Sequence, residues 1–188
     1  MSYDLIFVPR GDDQSWDDAL EAAEETDDDA RPRGEAWARL VTAVRQVLGE
    51  VSVFEGAHHY ELTHEPTGIQ VSYFAGEAAI TVPFWYRGAE AQAVVAAMYR
   101  LGETVQAVTG LAGYDPQMEL PMADAVARAG DAVRMFDEVA SSFAARGISS
   151  PATVERIASG GQRVGSGVTG CRRMVRCLSG ATRRKSLR

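Results

Sequence analysis

Apolar and polar positions alternate with a period of two in residues 3–9 and again between 51 and 86, whereas other segments repeat apolar residues every three or four positions. The first period is typical of strands that bury one face, and the second of helices that bury one stripe. The alternation predicts strands at 3–9, 51–54, 58–64, 68–74 and 77–86, with a further short strand at 111–117. The helical spacing predicts helices at 15–25, 35–49, 88–110, 123–147 and 149–159.

The order of these elements indicates the fold class. Short connections that contain Gly or Pro join the four middle strands, so we expect an antiparallel meander, and the 88–110 helix carries the apolar stripe that would cover it. The order β-α-α-β-β-β-β-α-β predicts an α+β fold with a single mostly antiparallel sheet, helices packed on one face and a C-terminal helical extension. We expect a core domain at 1–121, the helical extension at 122–159 and a basic tail at 160–188.

Local signals support several of these boundaries. Ser15 is the expected N-cap of the first helix, and Gly49 and Gly110 are expected to end the second and third. The helical pattern of 123–147 is broken near Gly130. Pro83 cannot donate to a ladder, which places its strand, or the end of it, at an edge or a bulge.

The net charge of −7 hides a division along the chain. Residues 160–188 hold eight basic residues and no acidic one, which leaves 11 basic against 26 acidic residues in 1–159, a net charge of −15. An acidic body repels nucleic acid and anionic membranes and favours basic partners. The tail has the opposite preference, although it contains no aromatic residue for base stacking, so nucleic-acid binding through 160–188 is only a weak alternative.

The tail is rich in Gly, Ser and Arg and has little periodicity, which predicts disorder. It contains both cysteines, so neither can cross-link the core, as is usual in a reducing compartment. Three interpretations stay open: a functional basic tail, a lineage-specific or misread terminus, and a segment that folds back on the acidic body. No segment has the length of apolar sequence that spans a bilayer, and the start lacks the pattern of a signal peptide, so we expect a cytoplasmic protein without membrane contact.

Three histidines at 58, 59 and 64 raise the question of a metal site. On a strand, His58 and His64 share a face but lie about 20 Å apart at roughly 3.3 Å per residue, too far to bind one ion. His59 and Glu61 share the other face without a visible third ligand. We therefore assign no metal.

The segment 11–29 contains ten carboxylates in nineteen residues. Their spacing does not match a calcium-binding loop, which needs alternating ligands, a central Gly and a terminal Glu. A solvated helix face is the ordinary interpretation, and a basic target surface is the functional alternative.

The segment "GYDPQ" (113–117) also has two interpretations. The structural one is a strand that ends in a sharp turn, with Tyr114 packed inward and Asp115 extended before Pro116. The functional one places Asp115 and Gln117 at a strand end beside aromatic residues 84–86. The candidate binding residues are Trp85, Tyr86, Tyr114, Asp115, Gln117, His59 and Glu61.

Three segments of the chain, "MSYDLIFVPR", "YELTHEPTGIQVSYFAGEAAITVPFW" and "GLAGYDPQ", resemble a group of small uncharacterised bacterial α+β proteins. Those proteins begin with MSYDL and carry a YDPQ-like strand end. The likeness covers about residues 1–147 and implies the fold. It implies no catalytic residue, because no activity is assigned to the group.

The sequence contains no nucleophile elbow, P-loop, dinucleotide fingerprint or paired-cysteine motif, and we assign no catalytic residue and no cofactor. The leading hypothesis is a non-enzymatic protein-binding module, similar to immunity or adaptor proteins, whose acidic surface engages a basic protein. The alternative is an enzyme or small-ligand-binding protein with a pocket near Trp85, Tyr114 and Asp115.

Overall fold

The computed structural model describes residues 1–24 and 30–148, which form seven strands and five helices. The strands are β1 (Ser2–Val8), β2 (Ser52–Glu55), β3 (Tyr60–His64), β4 (Ile69–Tyr73), β5 (Ala78–Pro83), β6 (Ala112–Asp115) and β7 (Leu120–Pro121). The helices are α1 (Trp16–Glu24), α2 (Gly34–Leu48), α3 (Gly88–Thr109), α4 (Met122–Ala127) and α5 (Ala129–Ala145). The predicted helix 149–159 and the basic tail 160–188 lie outside the described residues.

The strands form one sheet in the order β2-β3-β4-β5-β1-β6-β7, and every neighbouring pair is antiparallel. β2 to β5 are the predicted meander, and β1 lies between β5 and β6. The predicted α+β class with a single antiparallel sheet is therefore confirmed. Strand β7 was not predicted, because its two residues are too few to show an alternating pattern.

One face of the sheet carries the core. Leu62, Val71, Ile80 and Leu5 stand opposite one another across four strands and are at most 1 % exposed. We call this the inner face. It needs a helix layer to exclude water from such a row of aliphatic side chains.

Helices α2 to α5 pack on the inner face. Trp37 of α2 lies 5.1 Å from Tyr60 and 6.3 Å from Tyr73, measured between ring centroids. In α3, a methyl group added at Gly102 would come within 3.3 Å of Leu5, which shows how closely that helix approaches β1. Phe136 of α5 stacks on the Tyr3 ring at 5.4 Å.

Helix α1 packs on the opposite, outer face. Ala19 is buried against Ile6 and Val8 of β1, and Trp16 stacks on Tyr114 of β6 with ring centroids 4.8 Å apart. β1 is therefore covered on both faces. Farther along the outer face, the side chains of β3 to β5 are half-buried and mostly polar: Glu61, Thr63, Gln70, Ser72 and Thr81.

The three capping signals are found where they were predicted. The Ser15 hydroxyl accepts a hydrogen bond from the Asp18 amide at 3.1 Å, as an N-cap does. Gly49 and Gly110 follow α2 and α3 with φ of 88° and 76°, which side chains other than Gly rarely adopt. Arg128 separates α4 from α5, two residues before the predicted break. Pro83 is the last residue of β5, where it opposes Ser2, and β5 is an interior strand between β4 and β1, so the proline marks the end of a strand and not an edge strand.

The chain divides into two compact units, Met1–Ser142 and Phe143–Arg188. The described part of the second unit is the end of α5 and a turn in which the Ile148 amide donates to the Phe143 carbonyl at 3.0 Å. The predicted boundaries at 121 and 159 stay predictions. Within residues 1–24 and 30–148, no helix is long and apolar enough to cross a membrane.

Candidate functional site

Asp115 is the one charged residue that is fully buried within residues 1–24 and 30–148, with no exposed surface. It ends β6, and strand alternation directs it to the inner face, while Tyr114 before it faces outward. The expectation that Tyr114 packs inward is thus wrong by one position. The charged member of the pair goes to the interior, so its hydrogen bonds decide what this site can do.

The Oδ2 atom of Asp115 accepts two tyrosine hydroxyls. Tyr3 of β1 donates at 2.6 Å and Tyr99 of α3 donates at 2.8 Å. The two hydroxyl oxygens are 3.3 Å apart. Hydrogen bonds to an ionised acceptor are short and strong, and here they join the first strand, the long helix and the β6 end.

The Oδ1 atom of Asp115 accepts two backbone amides. Those of Gln117 and Met118 both donate at 3.1 Å and form the turn that follows β6. Aspartate favours such turns because its short side chain reaches the amides two and three residues ahead. Both carboxylate oxygens are therefore occupied by groups of the same chain.

Burial sets the titration of this cluster. Burial raises the pKa of Asp115 above its ordinary 3.8, although the bonds from Tyr3, Tyr99 and the two amides favour the charged form and oppose that shift. Burial also raises the pKa of Tyr3 and of Tyr99, and the Asp115 charge raises both further. Neutral tyrosines that donate to one carboxylate are the stable arrangement.

Aromatic rings close the cluster from the other side. Phe84 lies 5.8 Å from the Tyr3 ring and 4.8 Å from the Phe136 ring, measured between centroids. Tyr3 and Phe136 are completely buried and Phe84 is nearly so. A reactant would have to displace core side chains to reach Asp115, so the geometry supports a structural role for this carboxylate.

Gln117 and Tyr114 also have partners inside the protein. The Gln117 side-chain oxygen accepts the Asp4 amide at 3.1 Å, where β6 has turned away from β1 and no longer supplies a carbonyl. Tyr114 stacks on Trp16 of α1, and burial raises its pKa. The "GYDPQ" segment thus holds three elements together.

The remaining predicted site residues lie elsewhere. The Tyr86 hydroxyl donates to the Thr67 carbonyl at 2.5 Å, next to the β3–β4 turn, and half-buried Trp85 donates its amide to the Pro83 carbonyl at 2.9 Å. His59 lies at the other end of β3, between the rings of Phe54 and Phe74.

Glu61, on the outer face of β3, accepts the Thr63 hydroxyl at 3.1 Å. Of the seven predicted residues, the structure brings together Asp115 and Gln117, and it leaves the others on separate faces or ends of the sheet.

A cavity of about 440 Å³ opens beside the turn after Asp115. Gln117 and Met118 line one side, and α5 supplies the other with Asp131 and Arg134. Asp131 forms ion pairs with Arg128 at 2.8 Å and with Arg134. The two guanidinium groups hold the pKa of Asp131 below its ordinary value. Asp131 and the two arginines therefore form a paired group of charges in the cavity wall, which Met135 and Glu138 also line.

The residues 1–24 and 30–148 contain no group of three or more His, Cys, Asp or Glu side chains that could hold a metal ion. Comparison of the chain with protein-family models, with curated proteins and with solved structures found no match.

Acidic side chains are concentrated around α1. Six carboxylates of the described part of the acidic run are exposed: Asp12, Asp13, Asp17, Asp18, Glu21 and Glu24. Burial of Ala19 against the outer face fixes the helix so that these groups face solvent. Arg10 lies over the Trp16 ring at 4.8 Å and is a basic side chain at the rim of this acidic surface. We use "acidic surface" below for these six residues.

The sequence reasoning missed Tyr3 and Tyr99 as partners of Asp115. A signal was present, since Tyr3 shares the inward alternation of Leu5 and Phe7, and an inward Asp at a strand end requires donors. Tyr99 lies next to the apolar stripe of α3, and only the packing of that helix on the sheet shows which hydroxyl reaches the carboxylate.

Proposed function

We propose that this chain is a non-enzymatic, cytoplasmic protein-binding module, similar to immunity or adaptor proteins, and that its acidic surface engages a basic protein. The observation that supports this most strongly is the position of the six carboxylates of the acidic surface. They stand exposed on one short helix and the turn before it, and the helix is anchored by its apolar side. Like charges held together in this way focus a negative potential, which accelerates and orients the approach of a positive partner.

The hydrogen bonding of the buried Asp115 cluster supports a binding function rather than a catalytic one. A catalytic carboxylate needs a free oxygen near a substrate, whereas Asp115 has four internal donors and no exposed surface. Burial raises the pKa of both tyrosines, so neither becomes an anion near neutral pH.

The proposal is tested by capture of binding proteins from a native lysate with the full-length chain as bait. The test variant replaces Asp17, Asp18 and Glu21 by Asn, Asn and Gln. The control variant makes the same change in net charge at Glu90, Glu103 and Asp124, which are exposed on α3 and α4. We expect the wild type and the control to recover a basic protein at low salt and the test variant to recover much less.

Recovery of the same protein by all three baits, or of no basic protein by any of them, contradicts the proposal. Circular dichroism of the variants confirms that each bait is folded, which separates a lost surface from a lost structure.

A second candidate function, small-ligand binding, is favoured by the 440 Å³ cavity beside Gln117. Of the predicted binding residues, Gln117 lines this cavity, whereas Trp85, Tyr114 and Asp115 do not. A small ligand that raises the unfolding temperature of the wild type, but not of a Met135→Trp variant whose larger side chain fills the cavity, would support it. An equal rise in both proteins would contradict it.

A further inference from the structure

Strand β2 is an exposed sheet edge. It pairs with β3 along one side, and among the described residues no strand pairs with its other side. All four of its residues are exposed. An unpaired edge offers backbone donors and acceptors in register, which is the surface that an extended peptide uses when it adds a strand to a sheet.

The hairpin register shows which backbone groups of β2 point away from the sheet. The Gly56 amide donates to the His59 carbonyl at 2.9 Å. Because hydrogen-bonded pairs alternate along an antiparallel ladder, Phe54 and Ser52 also direct their amides and carbonyls to β3. The amides and carbonyls of Val53 and Glu55 therefore face the open edge.

The side chains of the edge combine apolar surface with negative charge. Val53 is 42 % exposed and Phe54 is 53 % exposed, and they are adjacent large apolar residues on one short strand. Phe54 lies on the outer face against the His59 ring at 5.3 Å. Glu50, Glu55 and Glu65 are exposed around the strand, and the Oε1 atom of Glu55 accepts the Trp37 indole N–H at 2.7 Å.

Charge decides between a second copy of this chain and a basic partner. A second copy would bring the same glutamates to the edge, together with another body whose residues 1–159 carry a net charge of −15. Like charges placed opposite each other on paired strands are destabilising. An extended segment with basic and apolar residues in alternation meets complementary groups instead.

We propose that β2 is the docking edge for an extended basic segment of a partner protein, which adds to the sheet as an antiparallel eighth strand. Apolar side chains of the segment pack beside Phe54 on the outer face, and its Lys or Arg side chains lie beside Glu55 on the inner face. This inference rests on the proposed function and names the site and the mode of binding. The acidic surface on α1 attracts the partner, and the edge of β2 sets its register.

The test uses the full-length protein and a synthetic peptide of about six residues with alternating Lys and Val, the usual length of a strand. One control peptide has Glu in place of Lys, and a second has Pro at two internal positions, which cannot donate to a ladder. Val53→Pro removes an amide that faces the open edge and leaves the bonds to β3 intact. Phe54→Lys, at an exposed side chain, changes apolar surface and charge without changing the backbone.

We expect the alternating Lys peptide to bind the wild type at low salt and each variant at least about tenfold more weakly, since a lost directional bond or apolar contact is of that order. Both control peptides should also bind at least about tenfold more weakly. Slower amide exchange at Val53 and Glu55 in the presence of the peptide would locate the contact.

The edge proposal is overturned if the peptide binds both variants as tightly as the wild type. If that binding is nevertheless weakened by neutralising Asp17, Asp18 and Glu21, the proposed function is retained while the docking edge is rejected. If neither Lys peptide binds at low salt, the edge proposal fails, and the proposed function is then decided by the capture experiment alone. A wild-type dimer that Val53→Pro converts to a monomer also overturns the edge proposal, because a second copy then occupies it.

Discussion

Replacement of Tyr3 by Phe tests the role assigned to the buried Asp115 cluster. The substitution removes one oxygen atom and keeps the ring that packs against Phe84 and Phe136. It deletes the 2.6 Å bond to Asp115 and leaves the carboxylate with three of its four donors. A hydrogen bond to a charged group contributes about 1.5–3 kcal/mol to stability, so we expect the free energy of unfolding to fall by about 2 kcal/mol.

Tyr99→Phe should have a similar effect, because Tyr99 donates to the same Oδ2 atom at 2.8 Å. Each single variant leaves one hydroxyl on that atom, whereas the double variant leaves none. The double variant should therefore cost more than the sum of the single variants, by about 1 kcal/mol. This excess identifies a shared acceptor, which two independent packing defects would not produce.

The assay is urea unfolding followed by tryptophan fluorescence. The slope of the unfolding free energy against urea concentration should be the same in the wild type and the variants, so that differences in midpoint report differences in stability. Tyr114→Phe is the matched control, since the Tyr114 hydroxyl has no hydrogen-bond partner among residues 1–24 and 30–148. We expect the control to change stability by less than about 0.5 kcal/mol. A Tyr3→Phe variant as stable as Tyr114→Phe would refute the reasoning.

Three further predictions follow from the same core. A methyl group at Gly113 would lie 2.9 Å from the Phe7 ring and closer still to Gln106, so Gly113→Ala should lower the free energy of unfolding in urea by about 1–3 kcal/mol. Gly130 has open space around it in a helix, so Gly130→Ala should raise the free energy of unfolding by about 0.5–1 kcal/mol. A Gly113→Ala variant more stable than Gly130→Ala would contradict this description of the packing. Burial raises the pKa of Tyr3 and Tyr99 above 10, so the stability that their protonated hydroxyls contribute is complete below pH 10 and is lost as the pH rises above it. Both tyrosines should therefore ionise only as the protein unfolds, which tyrosine absorbance and circular dichroism measured together will show. Ionisation of either tyrosine before unfolding would count against the raised pKa values. The pKa of Asp115 is raised above 3.8, so the folded protein holds the carboxyl proton more tightly than the unfolded chain does. The wild type should therefore lose stability relative to Asp115→Asn as the pH rises from 3.8 through the raised pKa. If the difference between the urea midpoints of the two proteins does not change with pH, the pKa of Asp115 is not shifted.

The fold class was predictable because the period of the apolar pattern is decided locally. Alternation predicted β1 and β3 to β5, although the predicted strands began two residues before β3 and ran three residues past β5, and turn-forming Gly and Pro residues between them allowed only short connections. The position of α1 on the outer face was not predictable in the same way. Its apolar residues, such as Ala19 and Leu20, show that one side is buried, but not which face of the sheet covers it.

The partners of Asp115 required the tertiary structure. The chain places Tyr3 112 residues before Asp115, and their contact depends on β1 pairing with β6, which sequence periodicity does not specify. The prediction of a site near Trp85 and Tyr114 placed the end of the "GYDPQ" strand beside aromatic residues 84–86. In the structure, alternation separates Tyr114 from Asp115, and Tyr86, three residues after the end of β5, donates its hydroxyl to the Thr67 carbonyl in the β3–β4 turn.

The most direct measurement for the proposed function is the affinity for the captured partner, determined by calorimetry over a series of salt concentrations with wild type and with the variant neutralised at Asp17, Asp18 and Glu21. The proposal predicts that the wild-type affinity falls steeply with added salt and that the variant binds more weakly with a shallower dependence. Equal affinities that do not change with salt would contradict it.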